Sequence, residues 1–483
     1  MVVVKQNYID GQWIEANCGE SFSTRNPAAP EESVRVYQQS DREDATSAVE
    51  AAEAAADGWA GMPAPQRGEI LREAAGVLNE QKDELTDLLI REEGKTRSEA
   101  SGEVQRAIDI FYYYAEKTRD LGGAVKSAST RRQHLYTVDE PVGVAGQITP
   151  WNYPIAIPAW KMAPALATGN TLVLNPASLA PGPAIGIFEA LDEADIPEGV
   201  ANVVTGPGSS VGDVIVTHDA VDVVSFTGSS QVGESVYEQA VDSGKRVQTE
   251  LGGKNPTIVS SSADLDEAVE AVSAGAFGVT GQACTACSRA IVHTDVHDEF
   301  VETVVAAAKS IDVGPGGESD MGPQVSESEL ESTLDYIEIA QEEGATLAVG
   351  GGELRGSDQY GDGYFVEPTV FTDIDPSYRL AQEEVFGPVL AVIEVENFEH
   401  ALAVANDTDY GLSASIITND QTEAERFVRG VDAGVAKVNA KTTGLELHVP
   451  FGGFKRSSSE TWREQGDSGI DFYTIERTVY ANF

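Results

Sequence analysis

The sequence predicts an α/β protein with two domains of similar size, and three observations support this fold class. The chain has 483 residues, which at ~150 residues per domain corresponds to about three structural units. Short apolar runs alternate with amphipathic helical patterns from residue 171 to 251, and a second alternation follows Glu250. Because such alternation is typical of parallel strands joined by crossover helices, each half is expected to form one α/β domain.

Before residue 144 the pattern predicts a hairpin, a helical region and an extended segment. An Asp-Gly turn lies between apolar residues in the run Tyr8-Ile-Asp-Gly-Gln-Trp13, which indicates a β-hairpin. From Asp41 to about Leu121 the apolar residues follow a helical period. The residues from about 123 to 143 are expected to be extended, and a segment rich in Gly and Pro follows.

The stretch from 171 to 251 predicts a Rossmann-like unit. Its expected strands are 171–174, 201–204, 221–226 and 246–251, with helices between them such as 183–192 and 233–241. The second half is expected to contain helices at 264–280, 297–309, 326–343 and 398–406 and strands at 290–293 and 389–395. The tail, residues 473–483, is expected to pair as a strand, with another subunit as one candidate partner.

The charge indicates the solvent in which the protein works. The 79 acidic and 32 basic residues leave a formal net charge of −47, and only 12 of the basic residues are lysine. Self-repulsion strains a compact state of this charge at low salt, but at ~1 M salt the screening length is only about 3 Å. Since 41 % of the residues are hydrophobic, the chain is folded, and we interpret it as halophilic. The alternative is an acidic protein that works at an ordinary salt concentration.

Several classes of protein are disfavoured by the same composition. A polyanion repels the phosphates of nucleic acids and the surface of anionic membranes. No apolar run reaches the ~20 residues of a membrane span. Three cysteines, Cys18, Cys284 and Cys287, cannot form a disulfide framework. We therefore expect a cytoplasmic enzyme with a small-molecule substrate.

The most reactive side chains lie in the run Gly281-Gln-Ala-Cys-Thr-Ala-Cys-Ser-Arg289. Its CxxC spacing permits a thioredoxin-like redox pair or half of a zinc site. Zinc would need two more ligands, and the six histidines show no ligand spacing, so no metal is expected. One cysteine could instead be a nucleophile, or both could be buried structural residues. The local sequence leaves these alternatives open.

Other polar and glycine-rich segments are weaker signals by themselves. Glu250 ends an expected strand just before a Gly-Gly turn, where open α/β sheets present functional groups, although it could be an ordinary surface acid. Asn152 could donate to an oxyanion or cap a turn. The glycine-rich turns at 206–212 and 226–233 could approach a dinucleotide, but neither matches GxGxxG and both could be ordinary turns.

Six motifs nevertheless occur together in one order: Pro150-Trp-Asn-Tyr-Pro154, Phe226-Thr-Gly-Ser229, Glu250-Leu-Gly-Gly-Lys254, Gly281-Gln-Ala-Cys284, Glu383-Glu-Val-Phe-Gly-Pro388 and Pro450-Phe-Gly-Gly-Phe-Lys455. In this order the chain resembles the aldehyde dehydrogenase superfamily from its first hairpin to its last strand. The resemblance implies a Rossmann-type coenzyme domain (1–121 and 141–250), an α/β catalytic domain (251–453) and a small β oligomerisation arm (122–140 and 467–483). It also implies a homodimer or homotetramer.

The resemblance implies four catalytic residues. The Cys284 thiolate attacks the aldehyde, and the resulting oxyanion is held by the Asn152 amide and the Cys284 backbone N–H. After hydride transfer to a nicotinamide, Glu250 activates the water that releases the carboxylic acid. Family members that pass the acyl group to coenzyme A usually lack this glutamate. Lys161 is expected to support the catalytic geometry, and Cys287 to be dispensable.

Ten residues are expected to contact the cofactor by the same correspondence: Trp151, Asn175, Ser178, Gly208, Phe226, Gly228, Ser229, Gly252, Glu384 and Phe386. Asn175 stands where the family commonly has a lysine that touches the adenosine ribose. Ser178 stands where a glutamate would repel a 2′-phosphate. This departure makes NADP acceptable, and we expect NADP rather than NAD.

The substrate is suggested by residues 437–453 and 457–466, which are similar to those of archaeal α-ketoglutarate semialdehyde (2,5-dioxopentanoate) dehydrogenases of oxidative pentose degradation. Trp160 is expected to line the substrate tunnel, and Lys441 to supply a cation for the anionic aldehyde. Succinic semialdehyde or another short carboxylated aldehyde is the alternative substrate. A catalytically silent relative and a dithiol oxidoreductase are the rival functions.

Overall fold

The computed structural model describes residues 4–317, 319–357 and 359–483. Its strands are β1 (Val4–Lys5), β2 (Asn7–Ile9), β3 (Gln12–Ile14), β4 (Ser21–Asn26), β5 (Ala29–Gln38), β6 (Val125–Lys126), β7 (Gln133–Pro141), β8 (Val144–Thr149), β9 (Thr171–Pro176), β10 (Ala201–Val203), β11 (Val223–Thr227), β12 (Arg246–Glu250), β13 (Asn255–Val259), β14 (Cys287–His293), β15 (Thr346–Val349), β16 (Thr369–Thr372), β17 (Val389–Val395), β18 (Tyr410–Gly411), β19 (Ser413–Ile417), β20 (Val435–Val438), β21 (Phe454–Lys455) and β22 (Thr474–Asn482).

The helices are α1 (Arg42–Gly61), α2 (Ala64–Glu80), α3 (Lys82–Glu93), α4 (Arg97–Lys117), α5 (Ala156–Thr168), α6 (Gly182–Glu193), α7 (Asp213–Thr217), α8 (Ser230–Asp242), α9 (Leu265–Phe277), α10 (Thr294–Ser310), α11 (Glu327–Glu343), α12 (Arg379–Gln382), α13 (Phe398–Asn406), α14 (Gln421–Gly430) and α15 (Gly466–Phe472). A π-helical turn, Gly208–Gly212, precedes α7, and a 3-10 turn, Gly278–Gly281, precedes the loop that carries Cys284. Within the described ranges no helix is both long and apolar enough to cross a membrane.

A seven-stranded sheet in the order β12-β11-β8-β9-β10-β2-β3 forms the first half. The strands from β12 to β10 are parallel, whereas β2 pairs with β10 and β3 antiparallel. The predicted hairpin is confirmed, since Tyr8 pairs with Trp13 and the turn residues Asp10 and Gly11 have φ of 52° and 71°. Left-handed values at both turn positions are what a two-residue hairpin turn requires.

The central strand β8 was not expected, because its segment contains several Gly and Pro residues. Gly146 explains why it is nevertheless a strand: a Cβ there would lie 2.5 Å from the Ile215 side chain. The glycine therefore lets α7 pack closely on the sheet. Val144 and Ala145 are buried on opposite faces of the sheet, in two different apolar clusters. Burial on both faces is typical of a parallel sheet with helices on either side.

The second half contains another seven-stranded sheet, in the order β15-β16-β17-β14-β13-β19-β20. All its pairs are parallel except β15 with β16. Alternate residues again enter different cores, as Ile291 packs in one apolar cluster and Val292 in the other. The predicted helices and strands of both halves are present, with ends displaced by a few residues. Strands β13, β16, β19 and β20 were missed because they are short and lack an alternating pattern.

A third, three-stranded antiparallel sheet has the order β22-β7-β6. The predicted tail strand is confirmed, but its partner is in the same chain: β22 pairs with β7 from Thr474 opposite Pro141 to Asn482 opposite Gln133. Large apolar side chains are exposed on this sheet, among them Val125 at 87 % and Tyr480 at 67 %. We call β6, β7 and β22 the β arm.

The charge of the folded chain predicts a stability that depends on salt. We expect the unfolding temperature to rise steeply from low salt to molar KCl, because ions screen the repulsion among surface carboxylates. Differential scanning calorimetry over a KCl series measures this shift. Sucrose of equal osmolality is the control, since it strengthens burial without screening charge. An unfolding temperature that is independent of KCl, or that sucrose raises equally, would contradict the electrostatic explanation.

Candidate active site

The loop that carries Cys284 is held in a strained conformation. Val279 and Thr280, which precede it, have φ of 52° and 56°, in the left-handed region that such residues rarely adopt. The Asn255 side chain donates to the carbonyl oxygens of Cys284 at 2.8 Å and Ala286 at 2.9 Å. Because Asn255 begins β13, the second sheet anchors the loop directly.

Cys284 lies between two cavities. The Trp151 cavity, of about 400 Å³, is lined by residues from both halves of the chain: Pro150, Trp151, Asn152, Ile157, Thr227, Gly228, Ser229, Leu251, Gly252, Cys284, Glu329, Ser332, Glu384, Val385 and Phe386. The Trp160 cavity, of about 410 Å³, has a lining that includes Tyr153, Ile157, Trp160, Cys284, Lys441 and Phe451. Only Ile157 and Cys284 line both cavities within the described parts of the chain. The thiol can therefore be reached from two separate directions.

Two N–H groups are available to an oxyanion at Cys284. The Asn152 side chain is buried and uses one of its amide hydrogens to donate to the Gln282 carbonyl at 2.9 Å. Its second amide hydrogen has no bond among the described residues, and neither has the Cys284 backbone N–H. Backbone and amide N–H groups that converge on a reactive thiol can stabilise the negative charge of a tetrahedral adduct.

Lys95 and Glu103 hold the Asn152 loop from the side of α4. The Lys95 ammonium donates to the Asn152 carbonyl and lies 3.0 Å from Glu103. The other Glu103 oxygen accepts from the backbone N–H groups of Ile155 and Ala156, at 3.0 and 3.1 Å. These buried bonds fix the turn between β8 and α5.

Glu250 is the last residue of β12 and is buried near the Cys284 loop. No hydrogen-bond partner of its two carboxylate oxygens occurs in the part of the chain that the structure describes. Burial raises the pKa of the Glu250 carboxyl well above its usual range, and the Glu464 charge raises it further, whereas Lys161 opposes the shift. A buried carboxyl with a raised pKa is a stronger base than an exposed one, which suits a general base that binds water.

Lys161 is buried and belongs to the lining of neither cavity. Its ammonium donates to the Ser225 hydroxyl at 2.7 Å and forms an ion pair with Glu464. It therefore acts on the site through charge, since it and Glu464 shift the pKa of Glu250 in opposite directions. Glu464 was not among the expected site residues, although it lies within the segment 457–466 that suggests the substrate.

The surroundings of Cys284 favour the protonated thiol over the thiolate. Burial raises its pKa above the usual range, and the charges of Glu384 and Glu250 raise it further. Burial also raises the pKa of Glu384 to about 7. Because a thiolate is the reactive form, the thiol needs a base or a change in its surroundings before it can attack.

The expected cofactor residues fall into two groups. Trp151, Gly228, Ser229, Gly252, Glu384 and Phe386 line the Trp151 cavity. Phe386 has φ of 60°, and its ring stands edge-on to that of Trp151 at 5.5 Å. Glu384 accepts from the Gly253 N–H at 2.8 Å and lies so close to Gly252 that a side chain there would collide with it. These contacts keep the cavity open.

The other four expected cofactor residues do not line this cavity. Asn175 is buried and donates to the Val204 and Gly206 carbonyls, while Ser178 is exposed beside the same turn. Gly208 begins the exposed turn that follows. Phe226 is 4 % exposed, and its ring packs in a hydrophobic core beneath Gly228 and Gly233.

A dinucleotide fits the Trp151 cavity and its surroundings. Thr227 and Ser230 flank the N-terminus of α8, and their hydroxyl groups are buried without a partner among the described residues. A helix N-terminus with free donors favours phosphate. At Gly228 a Cβ would lie 2.6 Å from the Phe226 ring, so a residue with a side chain at this position would collide with the ring.

The remaining expected residues lie on the other side of the thiol. Trp160 and Lys441 both line the Trp160 cavity. The Trp160 ring lies 6.3 Å from that of Phe451. Cys287 instead belongs to β14, is 1 % exposed, and packs among the apolar side chains of the second core, with its thiol 3.2 Å from the Thr257 hydroxyl. Both thiols are free. The two cysteines of the CxxC sequence therefore lie in different surroundings, Cys284 in the lining of the cavities and Cys287 in a hydrophobic core.

Comparison with known proteins gives a family for this fold and site. The model of the aldehyde dehydrogenase family matches residues 13–479. The chain is 66 % identical over 478 residues to the alpha-ketoglutarate semialdehyde dehydrogenase of Haloferax volcanii, covering 99 % of each. It is 42 % identical over 475 residues to the 2,5-dioxopentanoate dehydrogenase of Saccharolobus solfataricus, covering 98 % of each. This chain belongs to the aldehyde dehydrogenase family.

The solved structures agree with this assignment. The betaine aldehyde dehydrogenase of Staphylococcus aureus in complex with NAD⁺ superposes with a TM-score of 0.96 at 35 % identity, covering 99 % of this chain and 95 % of that one. The resemblance inferred from the six motifs is thereby confirmed for the whole length of the fold.

The charges around Cys284 predict how fast its thiol reacts in the protein alone. At pH 8 most of Glu384 is ionised, because its pKa is about 7, and its charge opposes the thiolate. Glu384→Gln should therefore speed the alkylation of Cys284 by iodoacetamide several-fold at pH 8, and much less at pH 5.5, where the carboxyl is protonated. Mass spectrometry of the Cys284 peptide measures the rate.

The matched control is Glu383→Gln, since the neighbouring Glu383 carboxylate binds Arg379 and Tyr336 and is not among the charges that act on Cys284. Equal effects of the two substitutions, or an effect of Glu384→Gln that is independent of pH, would show that the charge of Glu384 does not control the thiol.

Proposed function

We propose that this chain oxidises α-ketoglutarate semialdehyde to 2-oxoglutarate with a nicotinamide cofactor. The observation that carries the proposal is the position of Cys284 at the junction of two cavities, one of which Asn152 also lines. The buried Glu250 carboxyl lies near enough for its charge to act on the Cys284 thiol. The names of the similar proteins from Haloferax volcanii, Bacillus subtilis and Saccharolobus solfataricus support the choice of substrate. The supply of this aldehyde by oxidative pentose degradation is part of the same proposal.

The proposed reaction begins with the Cys284 sulfur and the aldehyde carbon in the Trp160 cavity. The Cys284 thiol first loses its proton to solvent water, and the thiolate then forms a bond to the aldehyde carbon while the carbonyl electron pair moves to the oxygen. The oxyanion of this thiohemiacetal accepts from the Asn152 amide and the Cys284 N–H. Trp151, Gly228, Gly252, Glu384 and Phe386 would hold the nicotinamide end of the cofactor in the Trp151 cavity. When bound, the cofactor supplies the hydride acceptor that converts the thiohemiacetal to a thioester.

Glu250 completes the proposed cycle by hydrolysis. Its carboxylate takes a proton from a water molecule, which attacks the thioester carbonyl and releases the carboxylic acid and the Cys284 thiol. The raised pKa of Glu250 makes this carboxylate a stronger base than an exposed glutamate, and the price is a smaller ionised fraction at neutral pH. Turnover is therefore expected to increase as the pH rises through the pKa of Glu250.

An aldehyde panel in molar KCl tests the proposed function. We expect kcat/KM for α-ketoglutarate semialdehyde to exceed the values for succinic semialdehyde and acetaldehyde by about tenfold or more, with formation of reduced cofactor as the readout. Cys284→Ala should abolish turnover and Cys287→Ala should keep most of it, whereas a dithiol mechanism requires both. A panel in which succinic semialdehyde or acetaldehyde is the equal or better substrate would contradict the proposal.

We further propose that the enzyme prefers NADP to NAD. Ser178 supports this preference, because it presents a neutral hydroxyl beside the Gly206 turn where a glutamate would oppose a phosphate. Among the residues that the structure describes, no Lys or Arg lines the Trp151 cavity, so cations for the 2′-phosphate have to come from outside it.

Ser178→Glu should lower kcat/KM for NADP by about tenfold or more and leave kcat/KM for NAD nearly unchanged, since two like charges at close range cost several kcal/mol. Steady-state kinetics with each cofactor measures the ratio, and Ser178→Ala is the uncharged control. A wild-type preference for NAD would overturn the cofactor proposal, and so would a Ser178→Glu variant that loses both activities equally.

The domain division and the assembly are also proposals. The first sheet supports a coenzyme domain of residues 1–121 and 141–250, and the second supports a catalytic domain of residues 251–453. Exposed apolar side chains on the β arm, such as Ile475 at 53 % and Tyr480 at 67 %, support a role in a homodimer or homotetramer. Free thiols support a cytoplasmic location, and the net charge supports a halophilic protein.

A further inference from the structure

We propose that Arg106, assisted by Lys441, binds the carboxylate of the substrate at the end of the Trp160 cavity remote from Cys284. This inference rests on the proposed function, because it concerns the anionic end of the same aldehyde. It assigns the specificity for a carboxylated substrate to one face of α4 and to the loop that follows β20.

One face of α4 lines the Trp160 cavity. Glu99, Gly102, Glu103 and Arg106 all contribute to its lining, at the three- and four-residue spacing that brings side chains to one face of a helix. Glu103 binds the backbone at Ile155 and Ala156, next to the Asn152 loop. Arg106 follows Glu103 by about one helical turn, roughly 5 Å along the axis. At that level it donates to the carbonyl of Leu445, which also lines the cavity.

The cavity is richer in positive charge than the chain as a whole. Three cations line it, Lys95, Arg106 and Lys441, against two acids, Glu99 and Glu103, in a chain whose net charge is −47. Most of these groups are already bound. Lys95 pairs with Glu93 and Glu103, and Glu99 accepts from the Val279 N–H and from Thr96.

Arg106 and Lys441 are the cations of this lining with free hydrogen-bonding capacity. Lys441 is exposed and takes part in none of the ion pairs formed by the described residues. A guanidinium has five N–H donors, and the Leu445 carbonyl engages one nitrogen of Arg106. Asp109 and Glu446 lie near enough to act on the pKa of Arg106, but burial lowers this pKa more than they raise it. The guanidinium remains a cation in a half-buried position, where a carboxylate binds it more strongly than in water.

The loop that closes this end of the cavity is fixed from two sides. Arg106 holds Leu445 from α4, and Lys437 of β20 donates to the Thr443 carbonyl at 2.7 Å and to that of Gly444. The carbonyl oxygens of Thr443, Gly444 and Leu445 are thereby bonded to cations. A carboxylate that enters the cavity meets Arg106 and Lys441 and leaves its aldehyde end directed at Cys284.

Kinetics with charged and neutral aldehydes test the assignment. We expect Arg106→Met to lower kcat/KM for α-ketoglutarate semialdehyde by about 10- to 100-fold, the range for loss of hydrogen bonds between charged groups. For pentanal, which has no carboxylate, kcat/KM should change by less than about threefold. Arg106→Lys should retain part of the selectivity, and Lys441→Gln should lose less of it than Arg106→Met does.

Arg97→Met is the matched control, because Arg97 lies on the same helix but is exposed and pairs with Asp87 outside the cavity. This control should leave both substrates unaffected. A wild-type enzyme without preference for α-ketoglutarate semialdehyde over pentanal would refute the proposed function itself.

If Arg106→Met keeps the wild-type preference for α-ketoglutarate semialdehyde over pentanal, the carboxylate site is refuted but the proposed function is not. Equal losses with both aldehydes would show that Arg106 serves only to anchor Leu445, and would also overturn the inference. If Arg106→Met does not fold, as judged by its circular dichroism, the ratio of the two kcat/KM values in Arg106→Lys and Lys441→Gln decides. Selectivity unchanged in both would refute the site.

Discussion

The hydrogen bond from Asn152 to the Gln282 carbonyl joins the two halves of the molecule at the reactive thiol. Asn152 follows β8 of the first sheet, and Gln282 precedes β14 of the second. The cavities on either side of Cys284 exist only while these loops stay in register, and buried bonds from Lys95, Glu103 and Asn255 keep them so. Such bonds are strong because the groups are shielded from water and would be costly to leave unpaired.

The buried ion pairs of this acidic chain lie near the Asn152 loop and Glu250. Lys161 with Glu464, and Lys95 with Glu93 and Glu103, are the buried ion pairs of the described structure. Each of these groups would be expensive to bury alone. Together they set the charge around Glu250 and the Asn152 loop, while the surface carboxylates interact with the solvent. The net charge therefore influences stability, and a few buried groups influence the chemistry.

The two cavities differ in the charged side chains that line them. The Trp151 cavity carries Glu329 and Glu384 and has helix N-terminal donors, glycines and aromatic rings for a cofactor. The Trp160 cavity carries three cations and two acids, and its unbound capacity lies at Arg106 and Lys441. A positive region of this kind is what an anionic aldehyde needs in order to approach a protein of net charge −47.

The sequence by itself determined the class of the fold, most of its elements and the family, because apolar periodicity and six ordered motifs are local features. It also indicated Cys284, Glu250 and Asn152. The tertiary structure showed that Cys284 borders two cavities while Cys287 lies in a core, and that β22 pairs with β7. It also showed that the Phe226 ring packs against Gly228 and Gly233 in a hydrophobic core. The site residues Lys95, Arg106, Asn255 and Glu464 could be recognised only from the tertiary structure. Their contacts join residues that are distant in the chain, and a local sequence pattern does not predict which side chains meet when two sheets pack together.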